Sequence, residues 1–174
     1  MGLVPDFLLD YITVNTYWTI LFTVHALLAV ALLGALTHQA MSVLAPVRQV
    51  ADAGPGGFVT RFRAVQGAGY ATAVCVLWIV TFIFGAWIYT KYRMYVRIPI
   101  EQQGYWKTQG FFEMKEHLAS IGLGLLPIYW YFWKNARNQE YDSPRKCLTV
   151  LLAAMCWFIF LTGHIVNNVR GFGS

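Results

Sequence analysis

The sequence predicts an all-α membrane protein, a single domain in which four transmembrane helices form an up-down-up-down bundle. Hydrophobic residues make up 57% of the 174 residues and charged residues only 12%, which is about half the charge of a typical soluble domain. The charges gather between four long apolar segments, as they do in polytopic membrane proteins. The connections between the segments are short, so consecutive helices are predicted to be antiparallel neighbours.

The four apolar segments define the predicted helices. They cover about residues 16–45, 67–90, 111–133 and 147–169 of the single domain 1–174. Each reaches or exceeds the roughly 20 residues that an α-helix needs to cross the hydrocarbon layer. Helix is the expected conformation because every backbone N–H and C=O group inside a bilayer must be bonded within the protein. The predicted connections are residues 46–66, 91–110 and 134–146.

Basic residues near the helix ends predict the orientation. The N-terminal segment contains Asp6 and Asp10 but no Lys or Arg, whereas the first and third connections contain Arg48, Arg61, Arg63, Lys134, Arg137, Arg145 and Lys146. Cytoplasmic loops carry an excess of Lys and Arg. The sequence therefore predicts that both termini are external and that the chain is a multi-pass protein of a cell membrane, of the bacterial inner-membrane type. The net charge of +5 suits loops that face anionic lipid.

The four histidines are the candidate functional residues, because an ionisable ring inside a membrane span is costly and usually functional. His25, His117 and His164 are predicted to lie at about the same depth, in the outer half of three different helices. His38 follows His25 by 13 residues. That interval is about 20 Å along a helix axis and turns the side chain to another face. His38 is therefore predicted not to share the site.

Imidazole side chains that project into an apolar helix bundle suit haem binding, in which a neutral nitrogen from each of two helices binds the iron. Helices one and three are expected on a diagonal, so His25 and His117 are the preferred ligands of one haem b. His164 could replace either ligand, bond to a propionate or line a quinone pocket. Lys115 is a candidate partner for a haem propionate, and Gly124 would leave room for the flat ring beside helix three.

Small residues occur at other positions where a flat ring could press on a helix. They are Gly122, Gly163 and, at the start of helix two, Gly67, Gly69, Ala71 and Ala73. Small residues also favour close packing between membrane helices. Each glycine therefore has two interpretations, a cofactor contact and a helix contact.

The four spans and their histidines resemble the small four-helix membrane cytochromes b, which serve as anchor and electron-transfer subunits of respiratory dehydrogenases and hydrogenases. The resemblance is architectural and covers the whole chain. The interval between His25 and His38 is similar to the paired-haem spacing of di-haem cytochromes b. Helix two has no histidine, however, and helices three and four have none at the depth of His38. The resemblance therefore implies one haem.

The same resemblance implies a role in a larger complex. The chain would be a non-catalytic subunit that passes electrons between a partner redox subunit and a quinone or another carrier. No domain that could bind NADH or flavin is evident in the sequence, so catalysis is expected in another polypeptide. Nothing resembles a nucleic-acid-binding module.

Three other interpretations stay open. The first is a copper or iron site without haem, formed by the three outer histidines and Glu113. The second is a membrane oxidase that resembles the protoporphyrinogen oxidase family, although the arginine-proline segment that follows the first helical histidine of that family is missing here. The third is a structural accessory subunit whose histidines only form hydrogen bonds between helices.

Overall fold

The computed structural model describes Pro5, residues 11–45 and residues 67–169, and the regular structure within them is entirely helical. The helices are α1 (Val14–Leu44), α2 (Ala68–Tyr92), α3 (Ile98–Gln102), α4 (Trp106–Lys134) and α5 (Asp142–Val169), with a 3₁₀ turn at Gln139–Tyr141. The first predicted connection, with its three arginines, lies outside the described residues, as do Asp6 and Asp10.

The second helix extends well beyond its predicted end near residue 90. One π-helical turn, Arg93–Arg97, joins α2 to α3, so that Ala68–Gln102 is one helical stretch of 35 residues. The predicted connection at 91–110 is therefore too long. Pro99 lies two residues after the π-helical turn, near the C-terminal end of the stretch, where its ring removes one backbone N–H donor. The chain turns at Gly104, whose φ of 76° is a conformation that glycine adopts readily.

Three of the helical stretches are long and apolar enough to cross a membrane: Val14–Leu44, Ala68–Gln102 and Gln139–Val169. Among the described residues, α4 is not in this group, although the sequence predicts a span at 111–133. α4 is less apolar than the other long helices in both halves, because the first half contains Glu113, Lys115 and Glu116 and the second half contains Pro127 and several Tyr and Trp residues. From His117 to Trp133 the helix has no charged side chain.

The four long helices contact one another in a ring. α1 packs against α2 and α5, and α4 also packs against α2 and α5. α1 and α4 therefore face each other across the ring. This arrangement allows side chains from all four helices to meet along one common axis.

The helix assembly is tightly packed at one end along its axis, and we call this end the packed half. Its fully buried side chains come from every long helix and include Leu36, Val74, Tyr129, Trp133 and Leu152. Close packing of such apolar side chains stabilises this region. Trp78, which is 3% exposed, lies at the border with the other end.

The other end, the cavity half, is closed by a smaller cluster of buried side chains, namely Tyr92, Val96, Ile100, Phe112 and Val166. The rings of Tyr92 and Phe112 are stacked, with 3.7 Å between their centroids and 10° between their planes. Val96 belongs to the π-helical turn, a distortion that often occurs at functional sites. Between this cluster and Trp78 the four helices form a cavity that is partly open to the outside.

Candidate functional site

The cavity has a volume of about 560 Å³ and is lined by residues of all four long helices. That volume lies in the range of small-molecule sites, roughly 300–1,000 Å³. Small side chains on several helices, among them Ala26, Ala29, Gly85, Ala119 and Gly163, leave this space open. The polar residues that line the cavity include His25, Lys115, Glu116, Ser120, His164 and Asn167.

His25 of α1 is held in a defined orientation by α2. Its Nδ1 atom lies 3.1 Å from the carbonyl oxygen of Thr81. A neutral ring that donates its Nδ1–H to this oxygen keeps the lone pair on Nε2, which is then the nitrogen that can bind a metal. Metal-binding histidines are commonly oriented in this way.

Gly85 gives the His25 ring its space. A Cβ atom at this position would lie only 3.1 Å from Cε1 of His25, so any other residue would press on the ring. Sequence reasoning missed both Gly85 and Thr81. A glycine inside a helix costs about 1 kcal/mol relative to alanine, and that cost is a signal that could have identified Gly85. Thr81 acts through its backbone carbonyl, a group that every residue has, so its residue type gives no signal.

His164 of α5 and Lys115 of α4 line the same cavity as His25, and His164 is exposed while Lys115 is half-buried. The Lys115 side chain passes Gly163, where a Cβ atom would lie 3.5 Å from Cε of the lysine. Its Nζ atom is 4.5 Å from the centre of the Phe112 ring, within the range of a cation–π interaction. The fold thus brings together three of the residues that the sequence singled out.

His117 does not line the cavity. It lies in α4 between two residues that do, Glu116 and Ala119, so its height matches that of the cavity. A rotation of about 100° per residue turns it to an exposed face of the helix. There its Nδ1 atom is 2.8 Å from the carbonyl oxygen of Glu113. The structure therefore does not bring the preferred pair, His25 and His117, together around the cavity.

Of the glycines predicted to make room for a cofactor, Gly163 lines the cavity, and four others do not. Gly124 is exposed. A Cβ atom at Gly124, Gly67 or Gly69 would meet nothing within 4 Å. Gly122 contacts the ring of Trp78, which a Cβ atom would overlap. None of these four glycines lines the cavity, and for Gly122 the helix-packing interpretation applies.

His38 is located away from the cavity. The centre of its ring lies 6.4 Å from that of Tyr70, in an edge-to-face arrangement. Within residues 11–45 and 67–169, no group of three or more His, Cys, Asp or Glu side chains is placed to hold a metal ion. The alternative site built from three histidines and Glu113 is therefore not assembled in this part of the chain.

Comparison of the chain with known protein families, curated proteins and solved structures finds no match. A functional interpretation therefore rests on the residues and the cavity themselves.

Proposed function

We propose that this protein is an integral-membrane electron-transfer subunit that binds one haem b in the cavity, with His25 and His164 as axial ligands. The observation that carries the proposal is that His25 and His164, from different helices, are both among the residues that line one cavity of about 560 Å³, with His164 at its exposed side. Two histidines from different helices are an established ligand set for haem in helix bundles. His164 takes the place of His117, the partner that sequence reasoning preferred.

The chemistry of the cavity fits this cofactor. The bond between Nδ1 of His25 and the Thr81 carbonyl leaves Nε2 as the donor atom. Apolar side chains form most of the wall, as a macrocycle requires, and Lys115 offers a cation for a propionate. Haem would supply one-electron redox chemistry, while the protein supplies ligands, orientation and electrostatics. The electrons would pass between a partner redox subunit and a quinone or another carrier.

We also propose that all four long helices cross the membrane as an up-down-up-down bundle. The ring of contacts between neighbouring helices supports this arrangement. The uncharged stretch of α4, His117 to Trp133, is about 25 Å long, close to the roughly 30 Å of the hydrocarbon layer. Lys115 and Glu116 line the cavity, so these charges need not face lipid.

In the proposed orientation both termini are external and the connection between α4 and α5 is cytoplasmic, which makes the chain a multi-pass protein of a cell membrane. The basic residues Lys134, Arg137, Arg145 and Lys146 support this choice. If only α1, α2 and α5 crossed the membrane, both ends of α4 would lie on the same side of it. A labelling experiment on the two ends of α4 separates these arrangements.

The experiment adds one cysteine at a time, Gln103→Cys or Arg137→Cys, to a background with Cys75→Ala, Cys147→Ser and Cys156→Ala, so that each variant has a single cysteine. A membrane-impermeant thiol reagent added from outside should label position 103 in intact cells and position 137 only after permeabilisation. The reverse pattern would invert the orientation. Labelling of both positions from one side would show that α4 does not cross the membrane.

Haem itself is tested by the visible spectrum of the purified protein, together with a pyridine haemochrome assay. The expected result is one b-type haem per chain, with a low-spin spectrum. A protein purified without haem from haem-sufficient cells would contradict the proposal, and two haems per chain would contradict the single site.

A quinone site in the same cavity is the second candidate. It is favoured by hydrogen-bonding groups on different helices around one cavity, with His25 on α1, Lys115 on α4 and His164 on α5. These groups could bind the two carbonyl oxygens of a quinone ring. A haem-free protein that co-purifies with a stoichiometric quinone, identified after solvent extraction, would favour this function over the first.

A further inference from the structure

The second helical stretch, Ala68–Gln102, is longer than a membrane is thick. Its 35 residues extend for about 52 Å, whereas a bilayer with its head groups measures roughly 40–45 Å. α4 shows the same excess, because Trp106 lies 11 residues before His117, where the uncharged part of α4 begins. That interval is about 16 Å, and the head-group layer is only roughly 5–8 Å deep on each side. We call residues 98–107, which join the two helices, the hairpin tip.

The hairpin tip is held along the axis of the helix assembly. Ile100, which is 1% exposed, belongs to the buried cluster that also contains Phe112 of α4 and Val166 of α5. The amide of Tyr105 donates to the carbonyl oxygen of Ile100 over 3.0 Å, and this bond fixes the start of α4 against the end of α3. A hairpin packed in this way continues upward from the helices instead of lying on the membrane surface. Its outermost side chains would therefore lie beyond the lipid.

Large apolar side chains are exposed on the hairpin tip. Trp106 is 65% exposed, Tyr105 50% and Ile98 42%. In the apolar part of α2, lipid would cover an exposed ring such as that of Trp87. At the tip only water or another protein could contact the rings. Trp and Tyr are enriched among the residues that contribute most to binding at protein–protein interfaces.

Basic residues are in excess on this part of the chain. Residues 91–113 contain four basic and two acidic side chains, namely Lys91, Arg93, Arg97, Lys107, Glu101 and Glu113. Both acidic side chains form ion pairs with Arg97, at 2.7 and 3.6 Å. Arg93 and Lys107 are exposed and form no ion pair with any described residue. External loops are normally poor in Lys and Arg, so these two positive charges point to an anionic partner.

We propose that the hairpin tip is the docking surface for a water-soluble protein domain on the outer face, whose contact surface is acidic with an apolar centre. Tyr105 and Trp106 would form the buried centre of the contact, and Lys107 would belong to its polar rim. The inference rests on the proposed crossing of the membrane by α2 and α4, and it does not depend on haem. It assigns a binding place and a surface charge to the partner redox subunit.

The depth of the tip is tested with nitroxide labels at Trp106→Cys and Trp87→Cys, each in the background without other cysteines. Both positions replace an exposed tryptophan, and Trp87 is the control within the apolar part of α2. In vesicles of phosphatidylethanolamine and phosphatidylglycerol, we expect collisions with a water-soluble nickel complex, relative to collisions with oxygen, to be several-fold more frequent at position 106. Equal ratios would place the tip in lipid and overturn the proposal.

The partner is tested by photo-cross-linking in native membranes, with a benzophenone amino acid in place of Trp106 or, as control, of Trp87. Position 106 should form an adduct with one protein that has an acidic extramembrane domain, and position 87 should not. The yield should fall several-fold at high salt, because screening weakens contacts between exposed charges. It should fall similarly in Lys107→Glu but not in Lys107→Arg, which keeps the positive charge.

Three results would contradict the docking surface. They are adducts with lipid alone, adducts within this chain or between two copies of it, and a protein adduct whose yield is the same in Lys107→Glu. The identity of the partner separates this inference from the proposed function. A charge-dependent adduct with an acidic protein that carries no redox centre would support the docking surface and contradict the electron-transfer role.

Discussion

The packed half and the cavity half contain similar polar side chains but use them differently. In the packed half the fully buried polar residues are neutral, and bonds such as those from Tyr129 to Gln39 and from Trp133 to Thr149 connect them to buried aromatic rings. In the cavity half, ionisable side chains such as His25, Lys115 and Glu116 face open space. The difference separates an end where side chains fill the space between the helices from an end where ionisable groups border a cavity.

The physical cause of this difference is the size of the inward-facing side chains. Leu36, Leu152 and Trp133 fill the packed half, whereas alanine and glycine occupy the equivalent faces around the cavity, for example Ala26 and Gly85. Helices whose axes are held apart by large residues at one end leave a void where the residues are small at the other. The cavity is therefore a consequence of the sequence along each helix face.

The largest expected effect concerns the histidines of the cavity half. His25→Ala and His164→Ala should each abolish the low-spin haem signal, because each removes one axial nitrogen. His117→Ala should retain it, because this side chain does not line the cavity. Visible spectra and haem content of the three purified variants provide the measurement. Loss of the signal in His117→Ala with retention in His164→Ala would restore the pair preferred from sequence.

The second effect compares cohesion at the two ends. Leu36→Ala, at a position that is 0% exposed, should lower the free energy of unfolding by about 3 kcal/mol. Ile159→Ala in the cavity wall should cost about 1 kcal/mol, because its side chain already borders open space. Unfolding of the haem-free protein by SDS titration measures both. Equal losses would mean that the two halves contribute equally to stability.

A smaller effect is expected from the space around His25. Gly85→Ala places a methyl group 3.1 Å from the His25 ring and should weaken haem binding by about 10-fold, the low end of the range for residues that orient a metal ligand. Gly124→Ala is the matched control, because a Cβ atom there meets nothing within 4 Å. Haem titration of the haem-free protein compares the two. Similar affinities for the two variants would remove Gly85 from the site.

The smallest effect tests a hydrogen bond of the packed half. Thr149→Val removes the acceptor of the Trp133 indole, 3.1 Å away, and should lower the free energy of unfolding by about 1 kcal/mol. Thr72→Val removes the acceptor of the Trp130 indole at an exposed position of α2. That loss should be close to zero, since an exposed donor can bond to water or lipid head groups instead. Equal losses in the SDS titration would contradict the special role of buried polar bonds.

The sequence by itself determined that the protein is helical and where its candidate ligands lie along the helix axes. Long apolar segments have one favourable conformation in a membrane, and a fixed rise of 1.5 Å per residue sets the depth of His25, His117 and His164. Two of these three histidines, together with Lys115, do line one cavity. The boundaries were less predictable, because a π-helical turn carries the second helix on to Gln102.

Only the tertiary structure decided which face of each helix meets the cavity. The rotation of α4 depends on its contact with α2, where Trp78 packs on Gly122 and its Nε1 atom donates to the carbonyl of Ala119 over 3.2 Å. With this contact in place, α4 is oriented so that Lys115 faces the cavity and His117 faces away from it. Sequence spacing specifies position along a helix, but rotation about the axis is set by neighbouring helices, and this explains why His164 rather than His117 shares the cavity with His25.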